Sequence, residues 1–388
     1  MRIFSTIAGR FGSLLLLFAS PTHLSAQDTG EIPSESDVPI AMLVDLSSGQ
    51  ILHARNEGRR FMPASITKVM TAYVAFELLE SGELRAGQKL RFSHTAFEEW
   101  GGRGSTMFLN ANERPTVSQL LLGITTVSAN DASAVLAEGA AGSIGKWLEL
   151  MNASARSLKM KDSHFGTPNG WPDEGRTFTT ARDLALLGQA MVQEYPGFYR
   201  QYFGKRELTY RGITQANHEP FTGRLNGGDG IKTGFTNEAG YGVLGSAERN
   251  GRRLILVVAG TRSGSVRARA ARSYMEWGFS NFESKKLFEP GEVIGTARIQ
   301  GGNTRHVSLV NPQLVAVAFP KGADAQTKLS IRYDGPIRAP VAQGQKIAEL
   351  EIAVEGMATS RIPLYASEDV GKAGPLARII NGIIGWFL

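Results

Sequence analysis

The sequence predicts an α+β fold in which an antiparallel sheet, flanked by helices and carrying a helical subdomain, is followed by a small all-β domain and a C-terminal amphipathic helix. Apolar strand patterns occur near 40–55 and again at 240–260. Helical patterns fill the chain between them, which indicates a sheet built from both ends of that region. Short strands separated by turn signals follow over 281–366. A helical apolar stripe returns only at the end of the chain.

The composition is that of an ordinary globular protein and excludes several kinds of site. Of 388 residues, 42% are hydrophobic and 20% are charged, which excludes a disordered or fibrous chain. The absence of cysteine excludes disulfides, thiolate metal sites and cysteine nucleophiles. The net charge of +6 is too weak to imply nucleic acid, but it suits an anionic membrane or wall polymer. Histidines lack metal-ligand spacing and no phosphate-binding glycine motif occurs, so we expect no metal and no nucleotide cofactor.

Residues 1–26 show the features of a secretory signal in the required order. Arg2 and Arg10 supply the positive start, the run from Leu14 to Ala19 is the apolar centre, and a small-residue cleavage site follows. The alternative interpretation is a short buried helix. Cleavage would leave the polar segment 27–38, which we interpret as a linker, at the start of the mature chain.

A domain spanning 39–280 is expected after the linker. Its first signal is a hairpin, because two strand-like runs flank a Ser-Ser-Gly turn. Helical periodicity then dominates until two late strands appear. The predicted elements are strands Ile40 to Leu46 and Gln50 to Arg55, a helix from near Ser65 to Gly82, helices over 116–127, 131–140, 145–158 and 180–193, and strands over 240–248 and 253–260.

Two further segments complete the predicted organisation. Residues 281–366 carry repeated turn signals between short apolar runs, which predicts the β-rich domain. Within the last segment, 367–388, apolar residues from Leu376 onward recur at offsets of three and four. As a helix this stripe would be about 20 Å long, shorter than a hydrocarbon core of ~30 Å. We therefore expect 372–388 to lie on a membrane surface. The alternative is a terminal helix docked on its own protein or on a second copy.

Three short motifs occur in a fixed order and carry the chemistry. They are an S-x-x-K, an S-x-N and a K-T-G, formed by Ser65-Ile66-Thr67-Lys68, Ser128-Ala129-Asn130 and Lys232-Thr233-Gly234. This set of motifs is associated with acyl transfer by a serine nucleophile. Each motif alone is weak, and their conjunction and order support a functional interpretation.

The first motif pairs a nucleophile with a base. At positions i and i+3 of a helix, Ser65 and Lys68 share one face. A serine hydroxyl needs an adjacent base, and a lysine is a base only when burial or nearby positive charge lowers its pKa. A second match, Ser143 to Lys146, lies after the S-x-N and is therefore in the wrong order. We interpret Ser143 as a helix cap.

The second and third motifs supply polar groups for a substrate. Ser128 can relay a proton, and the Asn130 amide can both donate to and accept from a peptide. The alternative is that either residue caps the helix that follows. Lys232 offers a charge, Thr233 a hydroxyl, and Gly234 allows a substrate backbone to pair with the strand. The alternative for this motif is a surface turn.

The chain resembles the low-molecular-mass penicillin-binding proteins, the serine-type D-alanyl-D-alanine carboxypeptidases of the cell wall. Beyond the three motifs, the resemblance is carried by Pro63-Ala64 before the nucleophile, by Asn169-Gly170 and by the context of the K-T-G. The order of the domains and the tail is similar to the penicillin-binding protein 5 subgroup. The resemblance implies the serine β-lactamase/penicillin-binding fold and a location on the periplasmic face of the cytoplasmic membrane.

The resemblance also implies roles for individual residues. Ser65 would be acylated by the penultimate D-alanine of peptidoglycan stem peptides, or by β-lactam antibiotics, after Lys68 takes its proton. The other implied roles are proton transfer to the leaving group by Ser128 and Lys232, holding of the substrate amide by Asn130, binding of the substrate carboxylate by Thr233, and an oxyanion hole from the backbone N–H groups of Ser65 and Phe235.

An arginine beyond the K-T-G shares the binding of the carboxylate in this family. The spacing points to Arg267, with Arg262 and Arg269 as alternatives, and each can instead be a solvated charge. Two positions depart from relatives: Ala129 is the central residue of the S-x-N, and Asn169 stands where some relatives carry histidine. A role in deacylation is therefore not assumed for position 169.

Three other functions compete with the carboxypeptidase. A class A β-lactamase would need a glutamate-bound water for deacylation, and 166–176 contains Glu174 but not that family's glutamate motif. A D,D-endopeptidase that cuts cross-links would use the same chemistry. A non-catalytic wall-binding protein is disfavoured because the motif residues are intact.

Overall fold

A computed structural model describes residues 31–322 and 326–374 of the protein. The predicted signal, residues 1–26, and the apolar stripe that begins at Leu376 lie outside the described residues. The described helices are α1 Lys68–Glu80, α2 His94–Trp100, α3 Val117–Thr126, α4 Asn130–Ala141, α5 Ile144–Ser157, α6 Ala181–Glu194, α7 Pro196–Tyr202 and α8 Gly264–Ser280, with a 3-10 turn over Ala64–Thr67 before α1.

The described strands fall into a set in the first domain and a set in the β-rich domain. The first set is β1 Ile40–Asp45, β2 Gln50–Arg55, β3 Glu207–Tyr210, β4 Ile213–Ala216, β5 Gly228–Thr236, β6 Gly240–Arg249 and β7 Arg252–Thr261. The second set is β8 Phe282–Phe288, β9 Val293–Gln300, β10 His306–Val310, β11 Val315–Pro320, β12 Thr327–Arg332, β13 Ile337–Arg338, β14 Lys346–Val354 and β15 Ser360–Ala366.

The main sheet joins the start and the end of the first domain. Its strand order is β2-β1-β7-β6-β5, with antiparallel neighbours, so the predicted α+β fold is confirmed. β1 is buried along its whole length because both faces are covered. Its side chains alternate: Ile40, Met42 and Val44 join the core of the helical subdomain, whereas Ala41 and Leu43 pack with α8. β5 is an edge strand of this sheet.

Helix α1 is the central helix of the helical subdomain. Its first nine residues, from Lys68 to Phe76, are all buried because it packs against α3, α4, α5 and α6. Lys68 is the charged residue of that buried stretch. The fold therefore removes this amine from water, which places a lysine where its charged form is costly.

Helix starts distinguish the two S-x-x-K matches. The Ser143 hydroxyl accepts a hydrogen bond from the Lys146 backbone N–H at the start of α5, so its interpretation as a cap is confirmed. In contrast, α4 begins at Asn130 with no side-chain cap. Neither Ser128 nor Asn130 therefore serves as the cap that the alternative interpretation required.

The β-rich domain contains a six-stranded sheet with the order β12-β14-β15-β10-β9-β13 and a separate β11-β8 pair. The turn of the β1–β2 hairpin docks into this domain. The Ala318 backbone N–H donates to Gln50 Oε1 at 2.6 Å, and the Ser360 hydroxyl donates to the Ser48 carbonyl at 2.6 Å. Next to this contact, buried Asp45 and Arg252 form an ion pair at 2.6 Å. No helix within the described ranges is long and apolar enough to span a bilayer.

Candidate active site

Two glycines shape the turn that presents Ser65. Ala64, the preceding residue, has a left-handed φ of 50°. A Cβ atom on Gly170 would overlap the Ala64 carbonyl oxygen, and one on Gly234 would overlap the Pro63 carbonyl oxygen. The loop before α6 and the edge strand β5 therefore both approach the backbone just before Ser65, and only glycine permits that approach. Ser65 itself remains partly exposed.

Lys68 is buried, and its side-chain amine contacts three parts of the chain. Its Nζ atom lies 3.1 Å from Ser65 Oγ, 2.7 Å from Asn130 Oδ1 and 2.7 Å from the Asn169 carbonyl oxygen. The side chain of Asn130 is fixed in turn, because its Nδ2 donates to the Arg103 carbonyl at 2.9 Å. The structure thus brings together Ser65, Lys68 and Asn130.

An uncharged amine can make all three of these contacts. Asn130 Oδ1 and the Asn169 carbonyl can only accept hydrogen bonds, so they take the two N–H donors of a neutral lysine. The lone pair then faces the Ser65 hydroxyl. Burial holds the pKa of Lys68 well below its usual range, and the charge of Lys232 lowers it further, against an opposing effect of Asp131.

Ser128 lies two residues before Asn130 in the sequence, but its side chain does not contact the Lys68 amine through a hydrogen bond. It has a left-handed φ of 63° and is 7% exposed. Its hydroxyl makes no hydrogen bond to any residue that the structure describes, Lys68 and Lys232 included. A proton relay through Ser128 therefore needs a substrate group or a water to connect it.

The K-T-G lies on the exposed edge of the main sheet, on β5. Lys232 is buried and its Nζ donates to the Thr233 carbonyl at 3.0 Å. Burial, together with the nearby charge of Arg267 and against that of Glu219, lowers the pKa of Lys232 to about 7. Lys232 is therefore close to its titration point near neutral pH.

Arg267 is distinguished from its two alternatives by burial and position. It is 9% exposed, its guanidinium lies 5.8 Å from the centre of the Tyr241 ring, and its Nε has no hydrogen-bond partner among the described residues. Arg262 pairs with Asp37 at 3.2 Å and is largely exposed. Arg269 is exposed as well. Of these three arginines, Arg267 has the charge that depresses the pKa of Lys232.

Phe235 continues the edge strand beyond the K-T-G. Its ring stacks on Tyr241 with centroids 4.0 Å apart and remains 45% exposed. It borders an open cavity of about 790 Å³ at the end of the sheet, which Met62 and Glu238 also line. Tyr241 thus contacts both Phe235 and Arg267. It links the residue predicted for the oxyanion hole to the residue predicted for carboxylate binding.

The sequence motifs do not identify two backbone carbonyl groups of this site. The Asn169 carbonyl contacts Lys68, and the Arg103 carbonyl orients Asn130. Their side chains carry no signal for these roles. The nearest signal in the sequence is the glycine spacing at Gly104 and Gly170, because both glycines pack against site residues. Residues 31–322 and 326–374 contain no cluster of three or more side chains suited to a metal ion.

Comparison with protein families accounts for most of the chain. Residues 25–263 match the model of the Peptidase S11 family, described as D-alanyl-D-alanine carboxypeptidase. Residues 282–372 match the model of the C-terminal domain of penicillin-binding protein 5. This chain belongs to the S11 carboxypeptidase family. The predicted family and enzyme class are therefore confirmed.

Individual members of the S11 family are similar along nearly the whole chain. The D-alanyl-D-alanine carboxypeptidase DacA of Haemophilus influenzae is 31% identical and covers 94% of each chain. The crystal structure of penicillin-binding protein 5 from the same organism is 32% identical, with a TM-score of 0.70 over 88% of this chain and 100% of that one. Penicillin-binding protein D2 of Listeria monocytogenes in its ampicillin-bound form has a TM-score of 0.56 at 27% identity, over 64% of this chain and 100% of that one.

The S11 site differs from the glutamate-and-water arrangement that a class A β-lactamase would need. Glu174, the glutamate of the corresponding loop, is exposed and lies in a turn. Its neighbour Asp173 is buried, but its carboxylate accepts hydrogen bonds from Thr177. None of the hydrogen-bond partners described for Lys68 is a carboxylate.

Proposed function

We propose that this protein is a serine-type D-alanyl-D-alanine carboxypeptidase that removes the terminal D-alanine from peptidoglycan stem pentapeptides through an acyl-enzyme on Ser65. The observation that carries the proposal is the 3.1 Å contact between Lys68 Nζ and Ser65 Oγ, made by a lysine whose other two contacts are pure acceptors. That arrangement provides a base directed at a nucleophile.

Acylation begins when Lys68 takes the Ser65 proton and Oγ attacks the carbonyl of the penultimate D-alanine. The new C–O bond converts that carbonyl to an oxyanion, which the backbone N–H groups of Ser65 and Phe235 stabilise. The C–N bond then breaks, and the leaving D-alanine nitrogen receives the proton by way of Ser128. Hydrolysis of the ester restores Ser65, with Lys68 as the base that activates water.

The terminal carboxylate of the substrate is held by side chains of β5 and α8. Lys232 and Arg267 supply positive charge, and Thr233 supplies a hydroxyl. The Nε of Arg267 has no hydrogen-bond partner in residues 31–322 and 326–374, which supports this role because a buried donor without a partner is costly until a ligand accepts from it. β-Lactams carry a comparable carboxylate next to a strained amide, and a relative binds ampicillin. We therefore expect penicillins to acylate Ser65.

Intact-protein mass spectrometry after incubation with penicillin tests the assignment of the nucleophile. The wild type is expected to gain one penicillin mass, and Ser65→Ala to gain none. Ser143→Ala is the matched control, because it alters the other S-x-x-K, and it is expected to label like the wild type. In parallel, the wild type is expected to release D-alanine from a pentapeptide. Labelling of Ser65→Ala, or absence of D-alanine release by the wild type, contradicts the proposal.

We also propose that the protein is exported and held on the periplasmic face of the cytoplasmic membrane. The order of charge and apolar residues in 1–26 and the apolar stripe within 372–388 support this location. Removal of 375–388 is expected to move the protein from the membrane fraction to the soluble fraction. Unchanged fractionation would instead favour a tail that docks on protein.

A further inference from the structure

An arginine beside the catalytic cluster has a guanidinium with no hydrogen-bond or ion-pair partner among the described residues. Arg103 is exposed, and its side chain makes no hydrogen bond or ion pair with any residue of the described ranges. Its Cζ atom lies 4.7 Å from the centre of the Trp171 ring and 5.3 Å from that of Trp100. The two indoles are 6.1 Å apart and nearly perpendicular. The rings therefore hold the cation in place while its N–H edge stays unpaired.

The same loop is part of the active site. The Arg103 carbonyl accepts from Asn130 Nδ2, and Asn130 Oδ1 accepts from Lys68. At the next residue, a Cβ atom on Gly104 would lie 2.8 Å from both Asn130 Nδ2 and the Trp171 ring. The guanidinium and Trp171 thus lie next to Asn130, whereas Lys232 and Arg267 belong to the cluster proposed for the terminal carboxylate.

We propose that Arg103 binds a free carboxylate of the stem peptide upstream of the D-Ala-D-Ala unit, with Trp171 as the apolar wall beside it. This inference rests on the carboxypeptidase function proposed above. A planar guanidinium backed by aromatic rings is suited to a carboxylate, which its N–H edge binds with two parallel hydrogen bonds. The terminal carboxylate already has its own cluster. The anion that reaches Arg103 therefore belongs to the acyl part of the substrate, next to Asn130.

Binding at Arg103 would also act on the chemistry. A carboxylate held by the guanidinium restrains the loop whose carbonyl orients the Asn130 amide. Because Asn130 keeps the lone pair of Lys68 directed at Ser65, the upstream carboxylate contributes to the alignment of the base as well as to binding. Arg103 is then a residue that selects stem peptides with an acidic residue over those in which that residue is amidated.

The test compares two pentapeptides that differ only in one upstream group, a free carboxylate or its carboxamide, both ending in D-Ala-D-Ala. We expect the wild type to prefer the carboxylate peptide by about tenfold in kcat/KM, the effect of one charge-assisted pair whose cation is backed by aromatic rings. The preference should decrease at high salt. Arg103→Gln should reduce this preference to near unity, and Arg103→Lys should retain part of it.

Arg211→Gln is the matched control, because Arg211 is an exposed arginine that already pairs with Glu113 at 2.9 Å. It is expected to keep the tenfold preference. The rate of acylation by penicillin, which lacks the upstream carboxylate, reports whether the Arg103 variants keep an assembled site. A preference that persists in Arg103→Gln, or its absence in the wild type, overturns the inference. If the wild type releases D-alanine from neither peptide, the proposed function fails as well.

Discussion

Lys68 Nζ lies 2.7 Å from Asn130 Oδ1, and a neutral lysine can make this contact because an amide oxygen carries no net charge. The Asn130 amide cannot rotate to present its nitrogen, because Nδ2 is already bound to the Arg103 carbonyl. An amide oxygen stabilises an amine without adding the negative charge that would hold it protonated. The site therefore combines an acceptor of the right geometry with an environment that keeps Lys68 neutral.

Asn130→Asp should favour the protonated form of Lys68, with little change in the size of the side chain at position 130. A carboxylate next to Lys68 raises the pKa of the lysine, and it can no longer donate to the Arg103 carbonyl. We expect penicillin acylation at pH 7 to slow by on the order of 100-fold, a typical loss for an impaired general base. The acid side of the pH profile of acylation should also move to higher pH. Asn226→Asp, at an exposed position, adds the same charge away from the site and should change neither.

The pKa of Lys232 predicts the alkaline side of the activity profile. Burial and Arg267 lower this pKa to about 7, and the carboxylate site needs the cation. As pH rises through that value, Lys232 loses its proton and kcat/KM for D-alanine release should fall, because kcat/KM reports groups of the free enzyme. Arg267→Gln removes a positive neighbour, so the pKa of Lys232 rises and the alkaline fall should move to higher pH, at a lower overall rate.

Lys232→Arg provides the control for this profile. A guanidinium stays charged across the range, so the fall near pH 7 should vanish from the variant. If the alkaline limb of Lys232→Arg coincides with that of the wild type, another group titrates there and the assignment to Lys232 is wrong.

The close approach of Gly234 to the nucleophile turn predicts a large effect from a single methyl group. In Gly234→Ala, the added Cβ overlaps the Pro63 carbonyl oxygen, so β5 or the Ser65 turn must shift. Displacement of a nucleophile by about 1 Å costs on the order of 100-fold in rate, and we expect such a loss in acylation by penicillin. Gly197→Ala is the matched control, because a Cβ at Gly197 meets open space. Near-normal acylation of Gly234→Ala would contradict the account of the turn.

Sequence patterns predicted the elements whose apolar periodicity is strong. The strand β1 and the helix α1 are predictable because a continuously buried segment requires a mostly apolar sequence. The structure contains both elements. α8 was missed because arginines alternate with alanines along its start, and small residues fill the buried face that meets the sheet. The four-residue strands β3 and β4 are too short and too exposed to produce a pattern.

In the site, the functional side chains are predictable from the sequence, whereas the functional main-chain groups are not. Ser65, Lys68 and Asn130 were predicted as parts of one constellation because the chemistry requires these residue types in that order, and the structure places them together. The carbonyls of Asn169 and Arg103 were not predictable, because every residue has one and only the fold decides where it points. The choice among three arginines likewise depended on burial, which sequence spacing does not provide.

The buried pair of Asp45 and Arg252 predicts a stability effect at the junction between the domains. Burial raises the pKa of Asp45 and the charge of Arg252 opposes that rise; the guanidinium also donates to the Phe282 carbonyl at the start of β8. Arg252→Met strands the carboxylate, so we expect the free energy of unfolding at pH 7, measured with urea, to fall by roughly 3–5 kcal/mol.

The pH dependence and a double variant separate the charge from the packing. With Arg252 removed, the folded state favours protonated Asp45, so the deficit of Arg252→Met relative to the wild type should shrink as pH falls from 7 to 5. Adding Asp45→Asn should restore part of the stability at pH 7, because no charge is then left buried. Arg60→Met, which breaks an exposed pair with Asp162, should cost less than about 1 kcal/mol. A pH-independent deficit that Asp45→Asn does not relieve would show that lost packing, and not a stranded carboxylate, weakens the junction.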